Sequence, residues 1–145
     1  MKFEAEDVTA CTCAGLRKAT RILTQIYDAA LKPSGLKGTQ FTLLATLDKT
    51  GEIPLSRLAD ALGMERTTLT RNLKPMMSKG YIKTNQDYDQ RVRLVQMTTQ
   101  GAQVFQEAMP LWQNVQAQAV DKLGRKEWSL MMGALDKLTT PPDTR

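Results

Sequence analysis

The sequence predicts a mainly helical protein that carries one small β-hairpin. Most of its 145 residues lie in stretches where apolar residues recur at three- and four-residue steps, the spacing of one helix face. Two short apolar/polar alternations, residues 81–84 and 93–97, enclose a polar, turn-prone stretch, which is typical of a hairpin with a long tip. The length suits one domain with its own core.

The first helix is predicted over about residues 8 to 31. Its periodic apolar positions are Leu16, Ala19, Leu23, Ile26 and Ala30. Asp7 or Thr9 is the expected N-cap, because short oxygen-bearing side chains accept hydrogen bonds from a first helical turn. Pro33 and Gly35 end the helix, since proline cannot continue the hydrogen-bond ladder and glycine suits the turn that follows.

Two shorter helices with an edge strand between them are expected next. Thr39 opens a helix that ends at Gly51, and residues 53–55 are long enough only for an edge strand. A short helix then ends at Gly63. Its apolar face consists of Leu58, Ala59 and Leu62.

The helix after Gly63 is predicted from about residue 66 to residue 79, and Gly80 ends it. Its inward face would be Leu69, Leu73, Met76 and Met77. Pro75 lies inside this stretch and lacks the N–H that would bond to the carbonyl of Arg71. Proline therefore either kinks the last turn, or the regular helix stops near Lys74.

The C-terminal part reads as a long helix capped by Thr98 and running to Leu123, with a bend at Pro110, and a final helix after Gly124. The inward face of the final helix would be Trp128, Met131, Met132, Leu135 and Leu138. A helix of 25 residues is about 37 Å long, which exceeds the reach of one compact globule of this size. The stripes of the first and last helices, and Trp112, are therefore either intrachain core or a subunit interface.

Charge and composition narrow the function. The net charge is +5, and residues 55–95 hold eight basic and four acidic side chains, while the flanking segments are close to neutral. The chain has no histidine, which excludes Ser-His-Asp and Cys-His catalysis and His-containing zinc sites. The sequence contains neither a Gly-rich phosphate-binding loop nor a group of carboxylates on one face. We therefore expect that the protein is not an enzyme and that it binds no cofactor and no metal. A local positive excess points to a polyanion.

The basic segment has the order short helix, turn with glycine, helix, charged hairpin, which indicates a winged helix-turn-helix. The second helix would present Arg66, Thr67, Thr68, Thr70 and Arg71 to DNA, because arginine reads guanine and threonine contacts thymine methyls or phosphates. Arg57 and Lys74 are further basic residues of the same segment, and we expect them to contact DNA as well. The hairpin would carry Arg91 and Arg93 into the minor groove.

These residues resemble those of the MarR (multiple antibiotic resistance regulator) family of winged-helix transcription factors. The resembling segments are residues 35–44, 58–62, 67–73, 79–82, 89–91 and 97–101. The most specific signal is the Asp-x-Arg of the wing when it is taken together with the residues at 97–101 that follow it. Met97 stands where leucine is commoner, and Pro75 also departs from the pattern.

The resemblance implies a mainly α fold with a β-hairpin wing and a homodimer that grips a palindromic operator in double-stranded DNA. Residues 1–34 and 99–145 would form a helical dimerisation region, and residues 35–98 a winged helix-turn-helix domain. Arg91 would enter the minor groove, with Asp89 orienting it through a salt bridge. The resemblance also implies a small effector bound between the two regions, where Ile26, Tyr27, Phe41 and Met109 either line a pocket or belong to the core.

Cys11 and Cys13 are the only cysteines. On a helix they would point about 200° apart, so that a bridge between them requires the helix start to unwind. They are either small helical residues or a site for sensing redox state, an electrophile, a soft metal or a metalloid, which a partner subunit could complete. Two thiolates alone make an incomplete zinc site.

We therefore expect a homodimeric transcriptional regulator, with repression released by an effector or by thiol oxidation. Its alternatives are a winged-helix protein-interaction module and a nonspecific nucleic-acid binder. The free thiols, the acidic start without an apolar run, and the lack of any long apolar stretch favour the cytoplasm without a membrane contact.

Overall fold

A computed structural model describes residues 2, 4–86 and 91–141, apart from the side chains of Glu6 and Gln86. The helices in this part of the chain are α1 (Thr12–Leu31), α2 (Gly38–Thr50), α3 (Leu55–Leu62), α4 (Arg66–Ser78), α5 (Thr99–Leu123) and α6 (Arg125–Thr139). The strands are β1 (Ile53–Pro54), β2 (Ile82–Gln86) and β3 (Arg93–Met97). The mainly helical fold with a small hairpin is confirmed.

The sheet is antiparallel, with β3 between β1 and β2. Val95 of β3 lies opposite Ile53 on one side and Thr84 on the other, and its side chain is fully buried. β1 is thus an edge strand of two residues, as predicted. It joins the base of the hairpin to the start of α3.

One apolar core joins the middle helices, the sheet and the first half of α5. Its largest fully buried side chains are Leu31, Leu36, Leu44, Leu47, Leu58, Leu69, Leu73, Met76 and Val95. α5 contributes Phe105, whose ring centroid lies 5.2 Å from that of Phe41. Phe41 also stacks on Trp112 at 5.5 Å with an interplanar angle of 17°. These aromatic pairs fix the long helix against α2.

The predicted start of the first helix near residue 8 is wrong. Residues Ala5–Ala10 form a separate 3₁₀ helix, and α1 begins at Thr12. The Asp7 carboxylate accepts a hydrogen bond from the Glu4 N–H at 2.8 Å, which closes a tight local turn. Cys11 then adopts an extended conformation (φ −61°, ψ 120°), so that it precedes α1, whereas Cys13 lies within its first turn.

α4 continues through Pro75 to Ser78, and the alternative that its regular part stops near Lys74 is wrong. Leu69, Leu73 and Met76 are buried on its inner face. Met76 follows the proline directly and is fully buried in the core, where its burial favours continuing the helix past the missing hydrogen bond.

The apolar stripe of α6 is not buried within the chain. Trp128 and Leu135 are half-buried, whereas Met131, Met132 and Leu138 are exposed. Leu16, Leu23 and Ile26 of α1 are exposed as well. Intrachain burial of these stripes is therefore a wrong expectation, because periodicity shows which residues share a face but not what covers that face.

Candidate nucleic-acid interface

A sharp turn with Gly63 joins α3 to α4. Gly63 adopts the left-handed conformation (φ 63°), which glycine reaches without a steric cost. Its N–H donates to the carbonyl of Asp60 at 3.1 Å, and the Met64 N–H donates to that of Ala59 at 2.9 Å. The turn thereby closes the end of α3 and sets the direction of α4.

The buried and exposed faces of α4 are sharply divided. Its apolar residues anchor it in the core, and Arg66, Thr67, Arg71 and Lys74 are exposed on the remaining surface. Arg57 is exposed on α3, which packs against α4. Arg66, Thr67, Arg71 and Lys74 occupy little more than two turns of α4 and include three cations, which is the pattern that groove binding requires.

Thr68 and Thr70 are half-buried. The Thr70 hydroxyl donates to the carbonyl of Arg66 at 2.8 Å, which leaves its oxygen lone pairs and its methyl group for a ligand. The first turn of α4 also carries unpaired N–H groups and the positive end of the helix dipole. This end of α4 is therefore suited to a negatively charged partner.

A cleft of about 190 Å³ with mixed polar and apolar lining separates α4 from the first turn of α2. Its lining includes Lys37 and Thr39 on one side and Arg71 and Asn72 on the other. Lys37 was not among the candidate residues. The signal that could have found it is a lone cation directly before a helix N-terminus, where it extends the positive surface next to Arg71.

The wing rises from the sheet. Arg93 begins β3 opposite Gln86, and both Arg91 and Arg93 are exposed. Asp89 lies outside the described residues, so its salt bridge with Arg91 stays a prediction. Lys83 on β2 is exposed too and adds a further cation to this strand pair.

The thiols and Tyr27 do not form one site. Cys11 and Cys13 are free and exposed, and Cys13 lines an apolar cavity of about 600 Å³ together with Leu16 and Leu138. Tyr27 lies 14 residues beyond Cys13 on α1, about 21 Å along the helix axis. Its hydroxyl donates to Oε1 of Gln116 at 2.5 Å, and burial raises the pKa of Tyr27.

The effector pocket stays a prediction, and the structure shows only where the residues named for it lie. Phe41 is buried in the aromatic stack, Met109 packs against the core and Ile26 is exposed. Neither the cleft beside α4 nor the cavity beside Cys13 is lined by any of them. Within the described part of the chain, no group of three or more acidic or cysteine side chains could hold a metal ion.

Comparison with known proteins decides the family. The model of the MarR family matches residues 36–92, which span α2 to the wing. The transcriptional regulator MosR of M. tuberculosis, solved in complex with DNA, is 37% identical, with 90% of this chain and 99% of that one covered and a TM-score of 0.76. The chain belongs to the MarR family.

This MarR-family chain is a DNA-binding transcriptional regulator and not an enzyme. The transcriptional repressor MprA of E. coli is 32% identical over 91 residues, which are 61% of this chain and 52% of MprA. A mutant MarR of E. coli complexed with operator DNA has the same fold, with a TM-score of 0.83 at 20% identity and 95% and 100% of the two chains covered. No helix among the described residues is long and apolar enough to cross a membrane.

Proposed function

We propose that this regulator is a homodimer that represses transcription by occupying a palindromic operator. The observation that supports DNA reading is the exposed surface of α4: Thr67, Arg71 and Lys74 lie opposite the buried apolar residues, and Arg66 is exposed at the start of the helix. Arg57, Thr68, Thr70 and the wing residues Arg91 and Arg93 complete the contact surface, with Asp89 orienting Arg91.

The dimer is supported by where the exposed apolar surface lies. Among the described residues, the large hydrophobic side chains that are exposed belong to the 3₁₀ helix or to α1, α5 and α6: Val8, Leu16, Ile22, Leu23, Ile26, Leu123, Leu130, Met131, Met132 and Leu138. We assign residues 1–34 and 99–145 to dimerisation and residues 35–98 to DNA binding. A two-fold dimer places its two α4 helices about 34 Å apart, one turn of DNA.

The repressor role is supported by MprA, which is named a transcriptional repressor. The mechanism is steric: a dimer on a promoter blocks polymerase, and a signal that alters the spacing of the two α4 helices releases it. The protein acts in the cytoplasm, where DNA and reduced thiols coexist. A small effector remains a second route of release, without a pocket assigned to it.

The first experiment is a gel shift with the DNA upstream of the chain's own gene, with and without oxidant. A discrete complex that survives excess unrelated duplex is expected. A winged-helix protein-interaction module would give no complex. A nonspecific binder would bind every duplex equally, with the same loss of affinity as salt increases.

Replacing Arg91 with alanine is expected to weaken binding by about 1–3 kcal/mol on all sequences and to lower the salt slope by about one unit. Arg71→Ala is expected to lose discrimination between operator variants instead, because a major-groove arginine reads bases. Fluorescence anisotropy over a salt series with mutated operators measures both. Equal losses on every sequence for both variants would contradict these roles.

Oxidation is expected to release wild-type protein from DNA and to leave the Cys11→Ser/Cys13→Ser variant bound. With hydrogen peroxide, two thiols give up two electrons and two protons to form a disulfide, while the peroxide becomes two water molecules. Anisotropy before and after treatment, and after dithiothreitol, checks this. Identical behaviour of wild type and double variant would rule out a thiol switch.

The single variants determine which sulfurs pair. A bridge between Cys11 and Cys13 of one chain disappears in both single variants and leaves a monomeric band on a non-reducing gel. An intersubunit bridge between identical cysteines gives a dimeric band and persists in one of the two variants. Because Cys11 is extended and precedes α1, an intrachain bridge reorganises the start of the helix rather than its interior.

A further inference from the structure

Asp28 connects α1 to the first turn of α2. It lies three residues before the end of α1 and is half-buried. Its Oδ1 accepts a hydrogen bond from the Gly38 N–H at 2.7 Å. Gly38 is the first residue of α2, whose N–H has no partner inside its own helix. A carboxylate from a different helix therefore caps α2, at the end where the helix dipole favours negative charge.

Tyr27, the residue before Asp28, links α1 to a different helix, α5. The Tyr27 hydroxyl donates to Gln116 of α5, so that two consecutive residues fasten α1 to α5 and to α2. A Cβ built on Gly38 would stand 3.4 Å from Oδ1 of Asp28 and 3.7 Å from Cβ of Tyr27. A side chain at the first residue of α2 would thus be in van der Waals contact with both residues.

The same turn of α2 borders α4. Lys37, Thr39 and Gln40 line one side of the 190 Å³ cleft, and Arg71 and Asn72 of α4 line the other. Beyond α4, Nζ of Lys79 donates to the carbonyl of Gly35 at 3.3 Å, just before α2. A shift of the α2 start relative to α1 therefore moves one wall of this cleft, next to the Gly35 carbonyl that Lys79 binds.

We propose that Asp28 is a positioning residue that fixes the orientation of α4 relative to α1 and α5, and thereby sets the half-site spacing that the dimer accepts. The inference rests on the proposed function, since spacing has meaning only for a dimer on a palindrome. It assigns to Asp28 a role in specificity without any contact to DNA.

The test compares binding of full-length wild type, Asp28→Ala and Asp28→Asn to operators whose half-sites are one base pair closer, unchanged or one base pair further apart. Asp28→Ala is expected to bind the best spacing about fivefold more weakly, the size typical of a residue that acts on a site without contacting its ligand, and to discriminate less between the three spacings. Asp28→Asn keeps an Oδ1 acceptor and is expected to restore the wild-type spacing profile.

Asp48→Ala is the matched control, because Asp48 is exposed on α2 and its removal makes the same change of charge. It is expected to keep the wild-type spacing profile. Tyr27→Phe is the second variant, which removes the bond to Gln116 while keeping the ring, and it is expected to shift the profile in the same direction as Asp28→Ala. Circular dichroism and melting temperature verify that each variant is folded.

An Asp28→Ala variant with weaker binding but an unchanged spacing profile would overturn the inference, since a purely stabilising cap lowers affinity on all spacings alike. If Asp28→Ala does not fold, the profile of Tyr27→Phe decides in the same way. A wild type that prefers no spacing at all contradicts the dimer on a palindrome instead, so the two failures are distinguishable.

Discussion

Replacing Gly101 with alanine is expected to lower the free energy of unfolding by about 1–3 kcal/mol or more, which is the usual cost of overpacking a core. Gly101 lies in the first turn of α5, and a Cβ built there would overlap the carbonyl oxygen of Tyr81 and come within 2.9 Å of Cγ of Met97. Neither α5 nor the segment before β2 can keep its place when a methyl group stands between them.

The carbonyl of Tyr81 cannot move aside without further loss. It accepts a hydrogen bond from the Thr98 N–H at 3.0 Å, and the Thr98 hydroxyl accepts from the Gly101 N–H at 3.0 Å while donating to the carbonyl of Gly80. These bonds form the junction between the sheet and α5. A shift at one of them leaves polar backbone groups unsatisfied, which adds to the steric cost.

The measurement is the melting temperature of both proteins at equal concentration, because a dimer's stability depends on concentration. Gly133→Ala is the matched control: Gly133 is also helical, but a Cβ there has nothing within 4 Å. That variant is expected to be more stable than wild type by about 0.5–1 kcal/mol, because alanine favours a helix over glycine. A Gly101→Ala melting temperature equal to that of wild type would show that the junction adapts.

The helix ends were predictable where glycine or proline determines them locally. Gly51 and Gly63 end α2 and α3 with positive φ values, and the Thr98 side chain caps α5, all as the sequence indicates. The start of α1 was missed because a side-chain bond of Asp7 back to Glu4 favours a 3₁₀ turn, which leaves no periodic signature.

In the candidate site, too, a residue could be predicted only where a local sequence pattern determines its position. The exposed face of α4 follows from its helical period, since buried Leu69, Leu73 and Met76 leave Arg71 and Lys74 on the opposite surface, and Arg66 is exposed as the first residue of the helix. The contacts of Asp28 with Gly38 and of Tyr27 with Gln116 join different helices, and such pairs have no spacing that one sequence reveals. Phe41, named for an effector pocket, is instead held in an aromatic stack with Phe105 and Trp112.

Introducing an aspartate at Ile22 or at Leu130 is expected to convert the proposed dimer to a monomer and to lower affinity for the full palindrome by about 10²-fold or more. Ile22 is 50% exposed on α1 and Leu130 is 64% exposed on α6, so neither change disturbs the core of one chain. Light scattering after size exclusion measures the mass, and anisotropy measures affinity for full and half operators.

Two-fold symmetry is the reason for so large an effect. An isologous interface repeats every substitution, so each new carboxylate occurs twice and is removed from water without a partner. Each monomer then binds its half-site independently. The second α4 helix no longer has the high effective concentration at its half-site that the linked subunits provide. Gln106→Asp is the control, because it makes the same change of charge at an exposed polar position of α5. Retention of dimeric mass and full-operator affinity by both the Ile22 and Leu130 variants would show that these apolar faces are not what joins the subunits.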